Sequence, residues 1–550
     1  MTIKYKIISF AVFVLLCIAN TAKGDNYIHL IMYGQSLSEG YQSYPPLSVI
    51  PCDNNFMIGN QVWINRGNTS FSELTPLKAS VSLYDVVNGY KKTRANGVKC
   101  ENPIIGTANH IRNALPQYDP IIATSCGSDG KTIEQLSKEA THTEYLYGDF
   151  IKTIKSTSEI IKSGNHTIFC PAIFWMQGEY NYKERIGLTP NSKSTTDKDK
   201  YKELLLILKN NMQNDIANLY AQQKPLFITY QTSGQKWCNT FEGGISMAQL
   251  EATNEYDDII CAGPVYPVTD RGGHLDPNGY RWYGEMLGKV FFKTVILGED
   301  FKPLQPISIR KTDARTLEIK FHVPVEPLCF ELKHQAPVKD FGFVVKDKTG
   351  RKTISQVSIE GTSKVKISLD TDMDGYVEIG YAGKDTNGHG NLRDSDNAIA
   401  YSVYEDLDKK DDSGNFIYPR EQSETTLRPE YEPIDGRDTY YGKPYPLHNY
   451  CVMFYYKLNE DEDTLNIKGF ETSGITDVIS SPDIKISDSG NGIIKICEVT
   501  EVSTTVSDLS GTIYRTGYVN EIDMKTLPKG VYIIRAVSKN GNSTLKYFNN

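Results

Sequence analysis

Three separate segments of this 550-residue chain carry side chains that could act together in nucleophilic chemistry. Ser36 lies in Gly-Gln-Ser-Leu-Ser, Gln177 and Glu179 lie in Trp-Met-Gln-Gly-Glu, and Asp270 and His274 lie in Asp-Arg-Gly-Gly-His-Leu. A serine hydroxyl is too weakly acidic to attack a carbonyl unless a base takes its proton, and a histidine held by a carboxylate is such a base. Together these residue types predict acyl transfer from an ester to a serine nucleophile.

Ser36 follows an apolar run at residues 27–33, which is rich in β-branched and aromatic residues and stops at Gly34. This pattern predicts a short buried strand followed by a tight turn. Open α/β sheets place their chemistry at the carboxyl ends of the strands. We therefore predict that Ser36 is the nucleophile and that its hydroxyl lies at that edge of a sheet.

His274 is the histidine whose surroundings best fit a catalytic base. It follows two flexible glycines and precedes Asp-Pro-Asn-Gly-Tyr-Arg-Trp, a turn that leads into a helix. Asp270 is predicted to hold the imidazole in one tautomer and to stabilise its cation. Asp276 competes for this role, although an aspartate directly before Pro277 is typical of a helix cap.

The oxyanion formed in such a reaction needs hydrogen-bond donors that are fixed in advance. The predicted donors are the backbone N–H of Ser36, the backbone N–H of Gly130 or Gly127, and the side-chain amide of Gln177. A glycine in such a loop lets the backbone approach a ligand closely. Glu179 is predicted to accept hydrogen bonds that orient the loop next to Gln177.

Strand-like and helix-like runs alternate over residues 25–300, which predicts an α/β fold with a parallel sheet covered on both faces. The predicted strands are residues 27–33, 120–125, 167–175, 225–231 and 259–263, and an amphipathic helix is predicted over residues 198–222. Residues 41–100 interrupt the alternation and predict a long loop or cap. Residues 301–458 are typical of a β-sandwich accessory domain, and residues 459–550 predict a second, smaller β-sandwich.

The segments around Ser36, around residues 127–130, around Gln177 and around His274 resemble the successive motifs of the SGNH/GDSL hydrolases. They are most similar to the carbohydrate-esterase branch that includes sialate O-acetylesterase-like proteins. The resemblance covers residues 27 to about 295. It implies a flavodoxin-like sheet, no cofactor, and removal of acetyl or similar acyl groups from sugars. It also implies that Gln177 stands where other members of the superfamily carry an asparagine.

The chain departs from this family in one spacing. The family usually arranges its acid and histidine as Asp-x-x-His, whereas three residues separate Asp270 from His274. The identity of the acid therefore stays open between Asp270 and Asp276. The assignments of Ser36 and His274 do not depend on that spacing.

The end of the chain carries a second resemblance, at residues 506–511 and 522–535. These segments are similar to the C-terminal sorting domain of the type IX secretion system. The resemblance implies a small β-sandwich that serves as an export address, with the type IX secretion machinery as its partner.

The first 24 residues predict a secretory signal peptide, because two lysines precede an apolar run from Ile7 to Ile18 and small residues follow it. That run is too short for a good membrane span. Without these residues the formal charge falls from -8 to about -11, which disfavours nucleic acid as a partner. No Cys-x-x-Cys pair indicates zinc, and Cys52 and Cys100 could form a disulfide. We expect a secreted protein, at the cell surface or in the periplasm.

The favoured hypothesis is an exported carbohydrate esterase that removes O-acetyl or similar acyl groups from a poly- or oligosaccharide by a Ser-His-Asp mechanism. Two alternatives stay open: a lipolytic or thioester-cleaving SGNH hydrolase, and a catalytically inactive glycan-binding surface protein. The predicted cap contains Trp63, Asn65, Arg66 and Asn68, which favour a sugar over a long acyl chain. No metal and no membrane span is expected.

Overall fold

The computed structural model describes most of the chain from residue 25 onwards. The described residues are 25–64, 71–87, 97–140, 146–184, 194–237, 240–333, 335–418, 441–470, 485–488, 492–497, 503–508, 513–518, 521–538 and 541–549. The predicted signal peptide lies outside them. Among the described helices, none combines the length and the apolar character that spanning a membrane requires.

The described residues up to 300 form eight strands and eight α-helices. The strands are β1 (Asn26–Gly34), β2 (Asn55–Ile58), β3 (Leu74–Pro76), β4 (Ile121–Ser125), β5 (Thr167–Phe169), β6 (Ala172–Met176), β7 (Leu226–Gln231) and β8 (Ile259–Pro264). The helices are α1 (Ser36–Glu39), α2 (Leu83–Val87), α3 (Pro103–Ala114), α4 (Ile133–Leu136), α5 (Tyr147–Ser163), α6 (Lys198–Tyr220), α7 (Gly244–Glu255) and α8 (Pro277–Phe291). Short 3₁₀ turns occupy Glu179–Tyr182 and Gly234–Trp237, and a π-helical turn at Phe292–Ile296 follows α8.

These eight strands form one mixed sheet in the order β3-β2-β4-β1-β6-β7-β8, and β5 also pairs with β1. Every pairing is parallel except that of β2 with β3, which is antiparallel. Numbered along the chain, β4, β1, β6, β7 and β8 have the order 2-1-3-4-5, which occurs in doubly wound sheets. The α/β prediction is confirmed, and the sheet is mixed rather than wholly parallel.

Both faces of the sheet are covered, because the side chains of β1 alternate between two apolar cores. Ile28, Leu30 and Met32 pack in the core that includes α3 and α8. Ile31 and Tyr33 pack in the opposite core, beneath α5 and α6. The apolar stripe predicted on the long helix lies against this second core, with four of its residues buried and two partly buried: Leu205, Leu208, Met212 and Ile216, then Leu204 and Leu219.

Two predictions about this part of the chain were wrong, and one open possibility is not realised. Residues 167–175 form two strands rather than one, because Pro171 has no N–H to continue the ladder between them. The predicted cap at residues 41–100 contributes β2, β3 and α2, and the two strands extend the sheet beyond β4. The possible disulfide between Cys52 and Cys100 is not formed, because both residues are free thiols.

The following segment is β-rich, as predicted. Its strands are β9 (Gln305–Asp313), β10 (Thr316–His322), β11 (Cys329–Phe330), β12 (Phe343–Asp347), β13 (Gly350–Arg351), β14 (Ile354–Glu360), β15 (Lys364–Leu369), β16 (Val377–Tyr381), β17 (Leu392–Arg393), β18 (Ile399–Val403), β19 (Pro444–Pro446), β20 (Phe454–Leu458) and β21 (Thr464–Asn466). Two antiparallel sheets, β14-β15-β10-β9-β21 and β13-β12-β16-β20, enclose one apolar core. Because β21 pairs with β9, the first sheet extends beyond residue 458.

The described residues near the C-terminus form mostly β-strands. They are β22 (Lys485–Asp488), β23 (Ile493–Cys497), β24 (Ser503–Asp508), β25 (Ile513–Tyr518), β26 (Glu521–Asp523), β27 (Gly530–Ser538) and β28 (Gly541–Asn549). They form the antiparallel sheets β22-β23-β26 and β25-β24-β27-β28 around a small apolar cluster. The boundaries predicted for the domains stay predictions.

A segment of the β-rich part covers the outer side of α8, the helix that follows the predicted histidine. The carboxylate of Glu285 accepts the N–H groups of Tyr401 (2.7 Å) and Ser402 (2.8 Å). The indole N–H of Trp282 donates to the carbonyl of Pro446 at 2.7 Å. As a result, all 15 residues of α8 are buried, and the segment at residues 270–276 is attached to a helix held from both sides.

Candidate active site

A glycine fixes how the chain turns from β1 into the segment that carries Ser36. Gly34 has φ +150°, and a Cβ at this position would lie 2.1 Å from the carbonyl oxygen of Met176 on β6. Only glycine lets the two strands approach this closely. Ser36 therefore begins α1 directly beyond the carboxyl end of the central strand β1.

The structure brings Ser36 and His274 together, although they are 238 positions apart in the chain. Nε2 of His274 lies 2.8 Å from Oγ of Ser36. The segment that carries the histidine forms a closed turn, in which the N–H of Arg271 donates to the carbonyl of His274 at 2.7 Å. This contact is the geometry needed for a base to take the proton of a serine nucleophile.

The other ring nitrogen of His274 contacts a residue that sequence reasoning missed. Nδ1 lies 2.9 Å from Oε1 of Gln42, in the loop after α1. The aromatic ring of Tyr41 also packs on the imidazole, with the ring centroids 4.7 Å apart. The one signal for Gln42 in the sequence is its position close to the nucleophile, six residues after Ser36. A carboxylate was the expected partner of the histidine, and an uncharged amide was not.

Neither predicted acid contacts the imidazole, because each carboxylate is engaged elsewhere. Asp270 accepts the N–H of Gly272 at 2.6 Å and lies 3.8 Å from Nζ of Lys236. Asp276 is the N-cap of α8 and accepts the N–H of Gly279 at 2.7 Å. The predicted capping role of Asp276 is confirmed, and Asp270 as the acid stays a prediction that the geometry does not favour.

The electrostatic surroundings keep His274 uncharged over most of the pH range. Burial lowers the pKa of His274 to about 4, and the nearby carboxylate of Asp129 opposes this change. A neutral imidazole with a proton on one nitrogen can accept from Ser36 on the other. His274 is therefore in the form that a general base requires at neutral pH.

Gln177 is placed behind the site, with its amide bonded to the protein. Nε2 donates to Oδ1 of Asn181 at 2.7 Å and to the carbonyl of Lys131 at 3.3 Å, while Oε1 accepts the hydroxyl of Tyr201 at 2.8 Å. The side chain is fully buried. Both amide protons are thus directed at protein oxygens, and the predicted oxyanion role would require one of them to be released.

Glu179 lies in the turn after β6, where it was expected to orient the loop. Its carboxylate accepts the hydroxyl of Tyr230, and burial raises the pKa of Glu179. The same turn is tied to the residue before the predicted nucleophile, because Oε1 of Gln35 accepts the N–H groups of Gly178 (3.3 Å) and Tyr180 (3.1 Å).

The loop after β4 contains the two glycines predicted to donate to the oxyanion. A Cβ on Gly127 would lie 1.9 Å from Oγ of Ser38, so this loop packs directly on α1. The N–H of Ser128 donates to the carbonyl of Gly34 at 2.9 Å. Gly130 has φ +62°, a left-handed conformation that favours glycine. The loop is thus attached at the same turn that carries Ser36.

A small pocket lies beside α1. It is lined in part by a buried contact between Lys99 and Glu39, in which Nζ of Lys99 is 3.2 Å from Oε2 of Glu39 and 3.8 Å from the ring centroid of Trp63. Burial raises the pKa of Glu39 to about 8, although Lys99 opposes the change. Trp63 is itself buried, and its indole N–H donates to the carbonyl of Gly127 at 3.0 Å.

Asn65, Arg66 and Asn68, which favoured a sugar substrate in the sequence, lie outside the described residues. Within the described part of the chain, no group of three or more His, Cys, Asp or Glu side chains is arranged to hold a metal ion. The functional groups brought together at this edge of the sheet are Ser36, His274 and Gln42. They lie beside the turn at Gly34 and the loop that contains Gly127 and Gly130.

Comparison with known proteins gave matches among solved structures only. No family model and no curated protein matches the chain. The similar structures include XAC1771, a carbohydrate acetylesterase from Xanthomonas citri, with 13% identity and TM-score 0.45 over 67% of this chain and 77% of that chain. NanS has 14% identity and TM-score 0.30 over 44% of this chain and 78% of that chain.

A protein from Arabidopsis thaliana is also similar, with 18% identity and TM-score 0.33 over 49% of this chain and 98% of that chain. All three TM-scores are below 0.5. At this level of similarity, none of the three structures indicates the function of this chain.

Proposed function

We propose that the chain is an esterase that removes acyl groups from carbohydrates, with Ser36 as the nucleophile and His274 as the general base. The observation that carries this proposal is the 2.8 Å contact between Oγ of Ser36 and Nε2 of His274. A neutral imidazole at this distance can take the hydroxyl proton as the oxygen attacks the ester carbonyl.

The reaction then has two halves. In the first, the Ser36–acyl bond forms, the bond to the sugar oxygen breaks, and the protonated His274 gives its proton to that oxygen. In the second, His274 takes a proton from water, the water oxygen attacks the acyl carbon, and the proton returns to Ser36. The free sugar hydroxyl and the carboxylic acid are the products.

The oxyanion of each half-reaction needs donors at the turn after β1. We assign this role to the backbone N–H of Ser36 and to that of Gly130, with Gly127 packed against α1 beneath them. The attachment of the glycine loop to Gly34 supports this assignment, because the bond from the N–H of Ser128 to the carbonyl of Gly34 ties together the two loops that carry these N–H groups. Gln177 contributes by holding the loop at Lys131.

The acetylated sugar as substrate rests on the resemblance of the sequence motifs to carbohydrate esterases. A secreted or cell-surface location rests on the predicted signal peptide and on the resemblance of residues 506–535 to a type IX sorting domain. Retention of these two segments on the exported protein can be read from the mass of the protein recovered outside the cell.

Hydrolysis of p-nitrophenyl acetate by the purified protein tests the proposal, with Ser36→Ala as the matched variant. We expect Ser36→Ala to fold and to lose at least about 10³-fold in turnover. Equal turnover of both proteins would refute a serine mechanism. Inactivity of the wild-type protein would favour the glycan-binding alternative.

The acyl and sugar specificities need a second assay. Faster turnover of p-nitrophenyl octanoate than of the acetate would favour a lipolytic enzyme. Release of acetate from a panel of acetylated glycans identifies the polysaccharide class.

A further inference from the structure

We infer that the side-chain amide of Gln42 holds His274 in its productive tautomer, in the position that a carboxylate occupies in a Ser-His-Asp triad. This inference rests on the proposed serine mechanism. The direct observation is the 2.9 Å contact between Oε1 of Gln42 and Nδ1 of His274. With its amide oxygen placed toward the ring, Gln42 accepts the proton of Nδ1, and Nε2 is left to accept from Ser36.

The backbone of Gln42 is held in a conformation that the residue would not adopt alone. Its φ is +66°, in the left-handed region that costs energy for a residue with a Cβ. The guanidinium of Arg271 donates to the carbonyl of Gln42 at 2.7 Å and to the carbonyl of Tyr44 at 3.0 Å. One side chain from the histidine's own segment therefore holds the backbone at Gln42 and two residues after it.

The preceding residue, Tyr41, is held equally firmly. Its carbonyl accepts the hydroxyl of Tyr280 on α8 at 2.8 Å, and its N–H donates to the carbonyl of Ser36 at 3.2 Å. Its ring packs on the imidazole of His274. The serine, the histidine and the loop that carries Gln42 thus form one connected unit, which is what a positioning residue requires.

The carboxylates near His274 do not compete for Nδ1. On the histidine's own segment, Asp270 accepts the N–H of Gly272 and Asp276 caps α8. From the loop after β4, Asp129 acts on the imidazole through its charge. The described contacts of the two ring nitrogens are therefore to Ser36 and Gln42.

An uncharged partner has a different effect from a carboxylate. It fixes the ring and its tautomer, but it adds little stabilisation to the imidazolium that forms when Ser36 is deprotonated. The wild-type enzyme should therefore remain active at lower pH than an enzyme whose histidine faces a carboxylate. Changing Gln42 to glutamate should therefore raise the pH below which the enzyme loses activity.

The test uses four variants of the full chain: Gln42→Ala, Gln42→Gly, Gln42→Glu and Asp270→Asn. The glycine variant removes the side chain without strain at φ +66°, so agreement with the alanine variant assigns the effect to the amide. For each we would measure kcat and KM for p-nitrophenyl acetate from pH 3.5 to 9, and the rate at which a fluorophosphonate probe labels Ser36, read by mass spectrometry.

We expect Gln42→Ala and Gln42→Gly to lower kcat and the labelling rate by roughly 10²–10⁴-fold with KM nearly unchanged. Gln42→Glu should move the acid limb of the kcat profile upward by roughly 1–3 pH units, because a carboxylate favours the imidazolium. Asp270→Asn should lose far less activity than either of these variants, since its carboxylate contacts neither Ser36 nor His274.

Two results would overturn the inference: rates within threefold of the wild type for both Gln42→Ala and Gln42→Gly, or a loss of 10²-fold or more for Asp270→Asn. An unmoved acid limb in Gln42→Glu would also count against it. Labelling of Ser36 needs no sugar or acyl substrate. A wild-type protein that is labelled but hydrolyses no ester would therefore refute the proposed function while still testing Gln42.

Discussion

Replacing Gln177 by alanine separates a role in oxyanion binding from a role in holding the loops behind the site. The side chain is fully buried and makes three hydrogen bonds, to Asn181, to the carbonyl of Lys131 and from Tyr201. Two of the partners keep a second bond after the substitution: Asn181 Oδ1 still accepts the N–H of Ile133, and Tyr201 still donates to the carbonyl of residue 177.

The expected cost in stability follows from these contacts. Each lost bond contributes about 1 kcal/mol, and the carbonyl of Lys131 loses this partner altogether. The cavity left by the side chain adds to this cost. We expect Gln177→Ala to lower the free energy of unfolding by roughly 3–5 kcal/mol. Turnover of the protein that remains folded should fall by less than about tenfold, because the amide protons already have protein acceptors.

Urea unfolding followed by tryptophan fluorescence measures the first quantity, since all four tryptophans lie between residues 63 and 282. Gln249→Ala is the matched control. Its amide is also fully buried, donates to the carbonyl of Gln177 at 2.9 Å and accepts the N–H of Thr232 at 2.9 Å. A loss of turnover of 10²–10³-fold in Gln177→Ala alone, with stability within 1 kcal/mol of the wild type, would show that Gln177 is an oxyanion donor after all.

Three further predictions concern stability. Gly34→Ala should prevent stable folding, because its Cβ would overlap the carbonyl of Met176. Gly263→Ala, at φ +121° with open space around it, should fold. Circular dichroism and the yield of purified protein compare the two variants. Asp276→Ala should cost about 0.5–2 kcal/mol by removing the cap of α8, and Asp276→Asn should be nearly neutral in urea unfolding. Burial lowers the pKa of His29 to about 3. As pH decreases from 6.5 towards 3, the unfolded chain binds a proton at this histidine before the folded chain does, so the free energy of unfolding should fall. The same pH dependence of the unfolding free energy in His29→Gln would refute this.

The periodicity of the sequence predicted the elements that carry the site, because buried strands and amphipathic helices have strong local patterns. β1 and α6 were each predicted to within two residues of their bounds. The approach of Ser36 to His274 followed from a general property of such sheets, that strand ends bring distant loops to one edge. The strands β2 and β3 were not predictable in this way, since each has only three or four residues.

The burial of Gln177 could have been predicted from strand alternation. Ile173 and Trp175 on β6 lie in the core beneath α6, and residue 177 follows them on the same face by the period of two. Its side chain accordingly meets Tyr201 of α6. The resemblance of the motif favoured a catalytic role, and the alternation of the strand pointed to the interior.

The identity of the residue that holds His274 depends on a tertiary contact that the spacing in the sequence hides. Asp270 and Leu275 form a β-bridge, so the residues between them make a tight turn with the histidine at its end. Asp270 accepts the N–H two residues ahead of it, as aspartates in turns often do. With three intervening residues instead of two, the carboxylate is used within the turn, and the imidazole faces Gln42.

A variant that deletes Gly273 restores the Asp-x-x-His spacing and tests this explanation. If spacing alone excludes the acid, the deletion combined with Gln42→Ala should recover part of the turnover that Gln42→Ala loses, and the acid limb of its kcat profile should move upward. No recovery in a folded double variant would show that the loop around Gln42, and not the spacing, determines the partner of His274.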